Sequence, residues 1–461
     1  MSRLLTGLLA AALLFGGWSR VTALEPKRED GRLPTQPELP YFRYLPDAEP
    51  SGRVLVVPGL NSNKEFMQLF CAALADVGFD VYAIDVPGHG DSKVPFNAVM
   101  ARQAVENAFK QIGPDIAIGH SMGGALLLDL AGQFPLRAMV LISPAPTPIP
   151  DAPLPRTLVT AGGFDIPAVN SFVSKSVSQM PGIEVLEFKW GAHSSAPLNP
   201  IQIREVVRWL GGDVERLRTG ARMFSLGLMF AGGILLGLVL LPRRPKQRRD
   251  VLMPETGVIL TYVAAFAIAI VVLHFVMVVR WVRLFTADYM VSFWFVAGIA
   301  LVAFVTARKP AVERSTPRVV LTALAAAAYV IVVLGLFTGS HLIHMTLSSG
   351  RWWRFPIIAA ASFPLFWFDE VAIRPFVSAW RTVTLGILTR LLLTAGIAMG
   401  ILTLNRESGF FVLLTGMMLM FWITLWLATE IVSRHLQSPF AAAFFAALVQ
   451  GWMFAAWFVT I

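Results

Sequence analysis

The pattern of hydrophobic and polar positions changes near residue 220. Before this point, short apolar runs alternate with stretches of helical spacing, and they predict strands at 53–57, 79–85, 115–118, 138–142, 157–160 and 185–188, with helices at 64–77 and 201–211. Short apolar strands separated by helices favour a mostly parallel sheet covered on both faces. After this point, eight long apolar segments follow, at approximately 222–241, 256–279, 290–307, 319–338, 355–373, 383–404, 410–432 and 438–460. About 20 apolar residues suffice to span a membrane, so the predicted fold class is α/β, followed by an all-α transmembrane region.

The first 23 residues have the pattern of a secretory signal peptide. Arg3 precedes an apolar run over residues 4–18, and the small residues Val21-Thr22-Ala23 come just before the charged stretch 25–30. The apolar run is short for a membrane span, and an uncleaved signal anchor is the alternative. Both interpretations place residues 24–220 on the extracytoplasmic side and residues 221–461 in the membrane.

The distribution of basic residues supports the same orientation. The first span would run inward to loop 243–249, which carries five positive charges, as the positive-inside rule expects. Twelve Lys and Arg residues lie in predicted inner loops and five in predicted outer loops. The inner residues are Arg243, Arg244, Lys246, Arg248, Arg249, Arg308, Lys309, Arg314, Arg318, Arg374, Arg381 and Arg434; the outer ones are Arg280, Arg283, Arg351, Arg354 and Arg406. The sequence therefore predicts a multi-pass integral membrane protein, of the inner membrane if it is bacterial.

Composition agrees with a membrane protein and argues against nucleic-acid binding. The 461 residues are 56% hydrophobic and only 15% charged, whereas soluble domains carry about 25% charged residues. The net charge of +9 is unevenly distributed: residues 24–220 contain 17 basic and 21 acidic residues, and residues 221–461 contain 19 and 8. The positive excess thus belongs to the membrane half, and no nucleic-acid partner is predicted.

Residues that could bind a metal are few. The single cysteine, Cys71, excludes an intramolecular disulfide and a cysteine-built metal site. His341 and His344 could both bind a metal, but the sequence shows no third ligand near them. We therefore predict no metal and no cofactor.

Candidate chemistry lies at the end of the third predicted strand. Gly119-His120-Ser121-Met122-Gly123 has the Gly-x-Ser-x-Gly pattern, and a helical run follows it. In such a nucleophile elbow the serine occupies a sharp turn between strand and helix, and the glycines avoid collisions with neighbouring backbone. The strand–turn–helix setting favours this interpretation over a structural glycine turn.

A serine nucleophile needs a histidine base and a carboxylate that orients it. Asp165 follows the fifth predicted strand and His193 follows the sixth, and the chain order serine, acid, histidine fits an elbow serine. The competing residues fit less well. His120 should point away from Ser121, His89 precedes the serine, Asp85 ends an earlier strand, and Asp151 lies in a proline-rich connection.

Residues 36–212 resemble the α/β-hydrolase superfamily. The resemblance rests on the elbow, on Asp85-Val86-Pro87-Gly88-His89-Gly90-Asp91-Ser92, and on Val57-Pro58-Gly59-Leu60, which is similar to the loop that donates one oxyanion-hole amide. It implies that the backbone N–H groups of Leu60 and Met122 bind the oxyanion. One departure is the short, proline-rich stretch 143–156, where many relatives carry a helical lid. The sequence thus predicts an open, lidless pocket.

Several charged residues interrupt the apolar segments. Arg390 lies within a span, Glu430 lies near the end of another, and Asp369 and Glu370 interrupt the fifth, which predicts a broken or re-entrant helix. Charges inside a membrane are costly and suggest function. We expect these four residues to form an intramembrane polar cluster, which could either hold helices together through ion pairs or take part in transport.

The combined prediction is a membrane-anchored serine hydrolase that cleaves an ester-type bond outside the cytoplasm. Lipophilic esters or lipids are the expected substrates, by location, and membrane lipids the expected partners. Three alternatives remain open: an acyltransferase, a peptidase, and a transporter or scaffold with a hydrolase-fold sensing module.

Overall fold

An eight-stranded sheet organises the first half of the chain. The computed structural model describes residues 3–242, 244–245, 250–276, 282–306, 315–348, 350–376, 378–404 and 411–461. The strands are β1 (Lys27–Leu33), β2 (Leu39–Leu45), β3 (Arg53–Val57), β4 (Asp80–Ile84), β5 (Ile116–His120), β6 (Ala138–Ile142), β7 (Arg156–Phe164) and β8 (Ile183–Ala192). Their order in the sheet is β1-β2-β4-β3-β5-β6-β7-β8. β3 to β8 pair in parallel, while β2 is antiparallel to both β1 and β4. All six predicted strands are confirmed, whereas β1 and β2 were not among the predicted strands.

Helices cover both faces of this sheet. They are α2 (Gln68–Asp76), α3 (Ala98–Ile112), α4 (Met122–Asp129), α5 (Pro167–Lys175) and α6 (Pro200–Trp209), and α1 (Arg3–Leu24) precedes β1. Alternate side chains of β3 enter different cores: Val54 and Val56 pack with α2 and α6, whereas Leu55 and Val57 pack with α3 and α4. This alternation follows from the two-residue period of a strand, and it confirms the predicted parallel sheet buried on both sides.

The region after the sheet domain is helical. Its helices are α7 (Thr219–Leu240), α8 (Glu255–Phe275), α9 (Ala287–Thr306), α10 (Pro317–Tyr329), α11 (Arg354–Ala372), α12 (Ala379–Leu404), α13 (Phe411–Leu436) and α14 (Pro439–Trp457). α10 continues through π-helical residues Val330–Thr338. Within the described ranges, nine helices including α1 are long and apolar enough to cross a membrane, and eight of them follow the sheet domain. The chain therefore has the character of a multi-pass membrane protein.

The prediction of a broken fifth span is wrong. α11 runs without interruption from Arg354 to Ala372, through Pro364, Asp369 and Glu370. Both carboxylates have ion-pair partners on side chains of this unit, so the helix can bury them without breaking. Of the loop residues used for the orientation, Arg243, Lys246, Arg248, Arg249, Arg280, Arg308, Lys309, Arg314 and Arg406 lie outside the described residues.

The described chain forms two compact units. One contains residues 3–10, 233–337 and 346–458, where described; the other contains residues 11–232 together with 338–345 and 459–461. The unit built on the sheet thus includes two short segments from much later in the chain. We call it the sheet unit below, and the other the helical unit.

Candidate active site

Ser121 lies on a strained turn between β5 and α4. Its backbone has φ +51° and ψ −115°, a conformation that is rare for a residue with a side chain. The neighbouring glycines make the turn possible. A Cβ on Gly119 would lie 2.5 Å from the carbonyl carbon of Gly123, and one on Gly123 would lie 2.2 Å from the carbonyl oxygen of Val57. The predicted elbow is therefore present, with the steric requirement for glycine that it implies.

The structure brings Ser121, His193 and Asp165 together in a chain of hydrogen bonds. His193 Nε2 is 2.9 Å from Ser121 Oγ, and His193 Nδ1 is 2.7 Å from Asp165 Oδ1. All three residues are buried. Ser121 follows β5, Asp165 follows β7 and His193 follows β8. The three strands are parallel, so their carboxyl ends meet at one edge of the sheet, where the loops carry these side chains.

The electrostatics of this arrangement favour a charged Asp165. Burial acts to raise the pKa of Asp165, but the hydrogen bonds from the His193 ring and from the N–H of Ile166 more than offset it. The net result is a lowered pKa, so Asp165 is a carboxylate at neutral pH. An ionised acceptor holds the proton on Nδ1 of His193 and leaves Nε2 free to accept the Ser121 proton.

His120 lies behind this group and does not contact the Ser121 hydroxyl. Its Nε2–H donates to the backbone carbonyl of His193 over 3.0 Å, so His120 supports the loop that carries His193. Burial lowers the pKa of His120 to about 3, and the nearby His193 contributes to this shift. His120 is therefore neutral at physiological pH.

The loop after β3 lies beside the serine, as the resemblance implied. A Cβ on Gly59 would be 3.0 Å from Ser121 Cβ, so the Gly59–Leu60 backbone passes next to the nucleophile. Met122 is the first residue of α4, and the N–H groups of a first helical turn have no acceptor within the helix. The backbone of Leu60 and that of Met122 thus both lie next to Ser121 in the chain or in space.

The competing acid and histidine are engaged elsewhere. Asp85 accepts hydrogen bonds from the backbone N–H groups of Lys64 and Asp91, and the Lys64 ammonium lies 2.7 Å from Asp85 Oδ2. His89 Nδ1 is 2.8 Å from the carbonyl of Pro87. Both residues support loops near the elbow and are not part of the hydrogen-bonded chain that contains Ser121.

A largely buried cluster of charges, not predicted from the sequence, surrounds Lys64. The ammonium lies 2.7–2.8 Å from carboxylate oxygens of Glu65, Asp85 and Asp91. His344 joins this cluster, with Nδ1 3.3 Å from Glu65 Oε1. Ligand atoms of Glu65, Asp91 and His344 lie within 4.8 Å of one another, and the Lys64 ammonium pairs with the same carboxylates. Burial opposes ionisation of Glu65, but the Lys64 charge prevails and lowers its pKa to about 2.

In the helical unit, the four predicted polar residues form two ion-paired groups. Arg390 Nη1 is 3.2 Å from Asp369 Oδ1. Glu370 and Glu430 both pair with Arg374, a residue that the sequence analysis had assigned to a loop. Both guanidinium groups lie over the ring of Trp426. These contacts tie α11 to α12 and α13, and they agree with the interpretation that ion pairs hold the helices together.

The fold and the site together define a class of protein, the serine hydrolases of the α/β-hydrolase type. Residues 48–163 match the family model described as serine aminopeptidase, S33 (Hydrolase_4). This match lies within the sheet domain and confirms the resemblance of that region to the α/β-hydrolase superfamily. None of the curated proteins matches the chain.

Several solved structures are similar to the sheet domain at low identity. A CIB-like hydrolase from Thermoplasma acidophilum is 16% identical, with 40% of this chain and 98% of that one covered and a TM-score of 0.35. A membrane phospholipase A, described as a bacterial virulence factor, is 16% identical over 45% and 96% of the two chains, with a TM-score of 0.35. Naproxen esterase from Bacillus subtilis is 15% identical over 44% and 98%, with a TM-score of 0.34.

Proposed function

We propose that this protein is a membrane-anchored serine hydrolase that cleaves an ester-type bond on the extracytoplasmic side of the membrane. The observation that carries the proposal is the hydrogen-bonded chain from Ser121 through His193 to Asp165 on a strained elbow. A serine alone is a weak nucleophile, and an adjacent base oriented by a third group activates it.

The residues would act in a fixed order. Ser121 Oγ attacks the acyl carbon while His193 Nε2 takes the hydroxyl proton, and Asp165 stabilises the resulting imidazolium. The N–H groups of Leu60 and Met122 bind the oxyanion of the tetrahedral intermediate. His193 then gives the proton to the leaving alcohol, and an acyl-enzyme remains on Ser121. A water molecule, deprotonated by His193, attacks this ester; His193 then returns the proton to Ser121 Oγ as the acid is released.

Two features favour lipophilic substrates. Residues 143–155, between β6 and β7, contain no helix or strand, so this connection carries no helical lid. Phe164 and Trp190 are 64% and 76% exposed and their ring centroids are 5.6 Å apart. Phe164 directly precedes Asp165, and Trp190 lies three residues before His193. An exposed aromatic pair so close to the triad offers apolar surface to an acyl chain.

The decisive experiment is labelling of the full-length protein in detergent with a fluorophosphonate probe, which reacts with activated serines. We expect wild type to be labelled and Ser121→Ala to be unlabelled. Ser195→Ala, which alters an exposed serine two residues after His193, serves as the matched control and should retain labelling. Labelling of Ser121→Ala equal to wild type would exclude Ser121 as the nucleophile.

The side of the membrane on which the sheet unit lies can be tested independently. The only native cysteine, Cys71, is fully buried, so a cysteine introduced at an exposed site would be the main target of a membrane-impermeant maleimide. In intact cells we expect Lys110→Cys to react and Asp250→Cys, in the predicted inner loop, to react only after lysis. The reverse pattern would contradict the proposed orientation.

Peptide hydrolysis is the second candidate, because the matching family model is described as a serine aminopeptidase. The same triad chemistry cleaves amides. A panel of p-nitrophenyl esters of increasing chain length and of aminoacyl p-nitroanilides would separate the two. Faster turnover of longer esters supports the ester proposal, whereas turnover confined to the anilides supports the peptidase.

A further inference from the structure

The loop Gly59–Asn61, which we call the oxyanion loop, ends at a buried residue with a left-handed backbone. Asn61 has φ +59°, in the region that asparagine adopts more readily than most other residues with a side chain. Because Asn61 is buried, its polar groups depend on hydrogen-bond partners within the protein.

Two hydrogen bonds from remote residues hold Asn61. Its N–H donates to His89 Nε2 over 3.3 Å. His89 can accept this bond because its Nδ1–H donates to the carbonyl of Pro87, which fixes the tautomer. The second bond comes from residue 459: the N–H of Val459 donates to Asn61 Oδ1 over 3.1 Å. The two partners are 398 residues apart in the chain.

The next residue, Thr460, binds the neighbouring loop. Its N–H donates to the carbonyl of Gly88 over 3.0 Å, and its carbonyl accepts from the N–H of Phe96 over 2.7 Å. Gly88 permits this approach, because a Cβ there would lie 2.7 Å from the Thr460 carbonyl oxygen. Residues 459–460 thus join the oxyanion loop to the Gly88–His89 turn, within the sheet unit.

We propose that Asn61 is a positioning residue for catalysis, and that residues 459–460 hold the oxyanion loop in its active conformation through it. The inference rests on the proposed function, since it concerns the N–H of Leu60, which lies between Gly59 and Asn61. An oxyanion donor must lie within about 2.7–3.1 Å of the developing charge. A displacement of about 1 Å in an active site can reduce the rate by about 100-fold. A segment that follows the last apolar helix would in this way control the rate of hydrolysis.

The test removes one N–H and leaves the side-chain contacts of the triad intact. Val459→Pro lacks the donor, and Phe458 already has φ −69° and ψ 148°, which a following proline accepts. Val459→Ala keeps the N–H and is the matched control. In the full-length protein, with a short soluble ester and active sites counted by fluorophosphonate titration, we expect Val459→Pro to lower kcat about 10- to 100-fold. KM should stay within about twofold, and Val459→Ala should match wild type.

A second measurement distinguishes positioning from general loss of structure. A trifluoromethyl ketone forms an oxyanion when it adds to Ser121. Val459→Pro should therefore weaken the affinity for this ketone by the same factor by which it lowers kcat, while KM for the ester stays nearly unchanged. Asn61→Gly tolerates the left-handed backbone but lacks the acceptor oxygen. Because Asn61→Gly and Val459→Pro remove the same hydrogen bond, the double variant should lose less than about threefold more kcat than either single variant.

The outcomes separate the two proposals. If wild type neither hydrolyses esters nor reacts with the probe, the proposed function fails. If wild type is active and Val459→Pro retains kcat per titrated site, the inference is overturned. The inference would also be overturned if the kcat loss of the double variant equalled the product of the two single losses. If Val459→Pro does not fold, Asn61→Gly provides the test: equal losses of kcat and of ketone affinity support the inference, and wild-type values overturn it.

Discussion

Replacing Asp165 by asparagine tests the triad with almost no change in shape. In wild type, Asp165 Oδ1 lies 2.7 Å from His193 Nδ1, and only a proton on Nδ1 satisfies this contact. Nε2 is then unprotonated and can accept the Ser121 proton over 2.9 Å. In the Asp165→Asn variant, the side-chain amide could instead donate to Nδ1, which stabilises the tautomer with the proton on Nε2. That tautomer cannot act as the base.

The expected loss is large because both a tautomer and a charge are affected. Removing the orienting carboxylate of a Ser-His-Asp triad lowers kcat by about 10⁴-fold, equivalent to about 5.5 kcal/mol in the activation free energy. Asp165 and His193 are both buried, so water cannot readily replace the lost partner. KM should change by less than about threefold, because neither atom contacts the substrate in the ground state.

The assay is steady-state ester hydrolysis by full-length protein in detergent, together with the rate of fluorophosphonate labelling between pH 6 and 10. We expect Asp165→Asn to recover in part at high pH, where hydroxide replaces the base. Asp151→Asn makes the same chemical change at an exposed site and should leave kcat unchanged. A kcat for Asp165→Asn within tenfold of wild type would refute the role assigned to Asp165.

Three further predictions concern stability. The pKa of His120 is about 3 in the folded state and about 6.5 in the unfolded state, so only the unfolded state gains a proton as the pH falls below 6.5. The free energy of unfolding should therefore decrease by up to about 5 kcal/mol towards pH 3. Thermal unfolding from pH 7 to 4 should be less pH-dependent in His120→Gln, and equal slopes would contradict this. Gly123→Ala places a Cβ 2.2 Å from the Val57 carbonyl and should abolish activity with a loss of about 3 kcal/mol or more, whereas Gly227→Ala, with no atom within 4 Å, should unfold at the wild-type temperature. Lys64→Met leaves three carboxylates without their buried cation and should cost about 3–5 kcal/mol; an unchanged melting temperature would show that the cluster is stabilised in another way.

The elbow could be predicted because its signal is local. The glycines flanking Ser121 are required by backbone atoms one to four residues away or on the neighbouring strand β3, and this requirement is visible as a spacing. Asp165 and His193 could be placed because each follows an apolar strand, and parallel strands end at one edge. β1 gave no such signal. Its residues are mixed, as in Lys27-Arg28-Glu29-Asp30, because β1 is an edge strand and much of it is exposed, and charged residues are common on such edges.

The continuity of α11 shows a different limit of sequence reading. Asp369 and Glu370 resemble an interruption when only hydropathy is considered. In the folded helical unit, Asp369 pairs with Arg390 and Glu370 with Arg374, so the charges are compensated within the protein. Hydropathy measures the transfer of one residue from water, and it contains no information on a partner that another helix supplies.

By itself, the sequence determined that strands and helices alternate in the first half of the chain, that long apolar helices follow, that the strands pair in parallel, and that Ser121 lies on an elbow. These features depend on the period of the hydrophobic pattern and on the steric demands of a few glycines, which act over a few residues. Only the tertiary structure decided which distant groups meet. Asn61 receives its hydrogen bond from Val459, and His344 joins the charges around Lys64. Hydrogen bonds and ion pairs depend on distances of about 3 Å in space, and the separation of two residues along the chain does not reveal them.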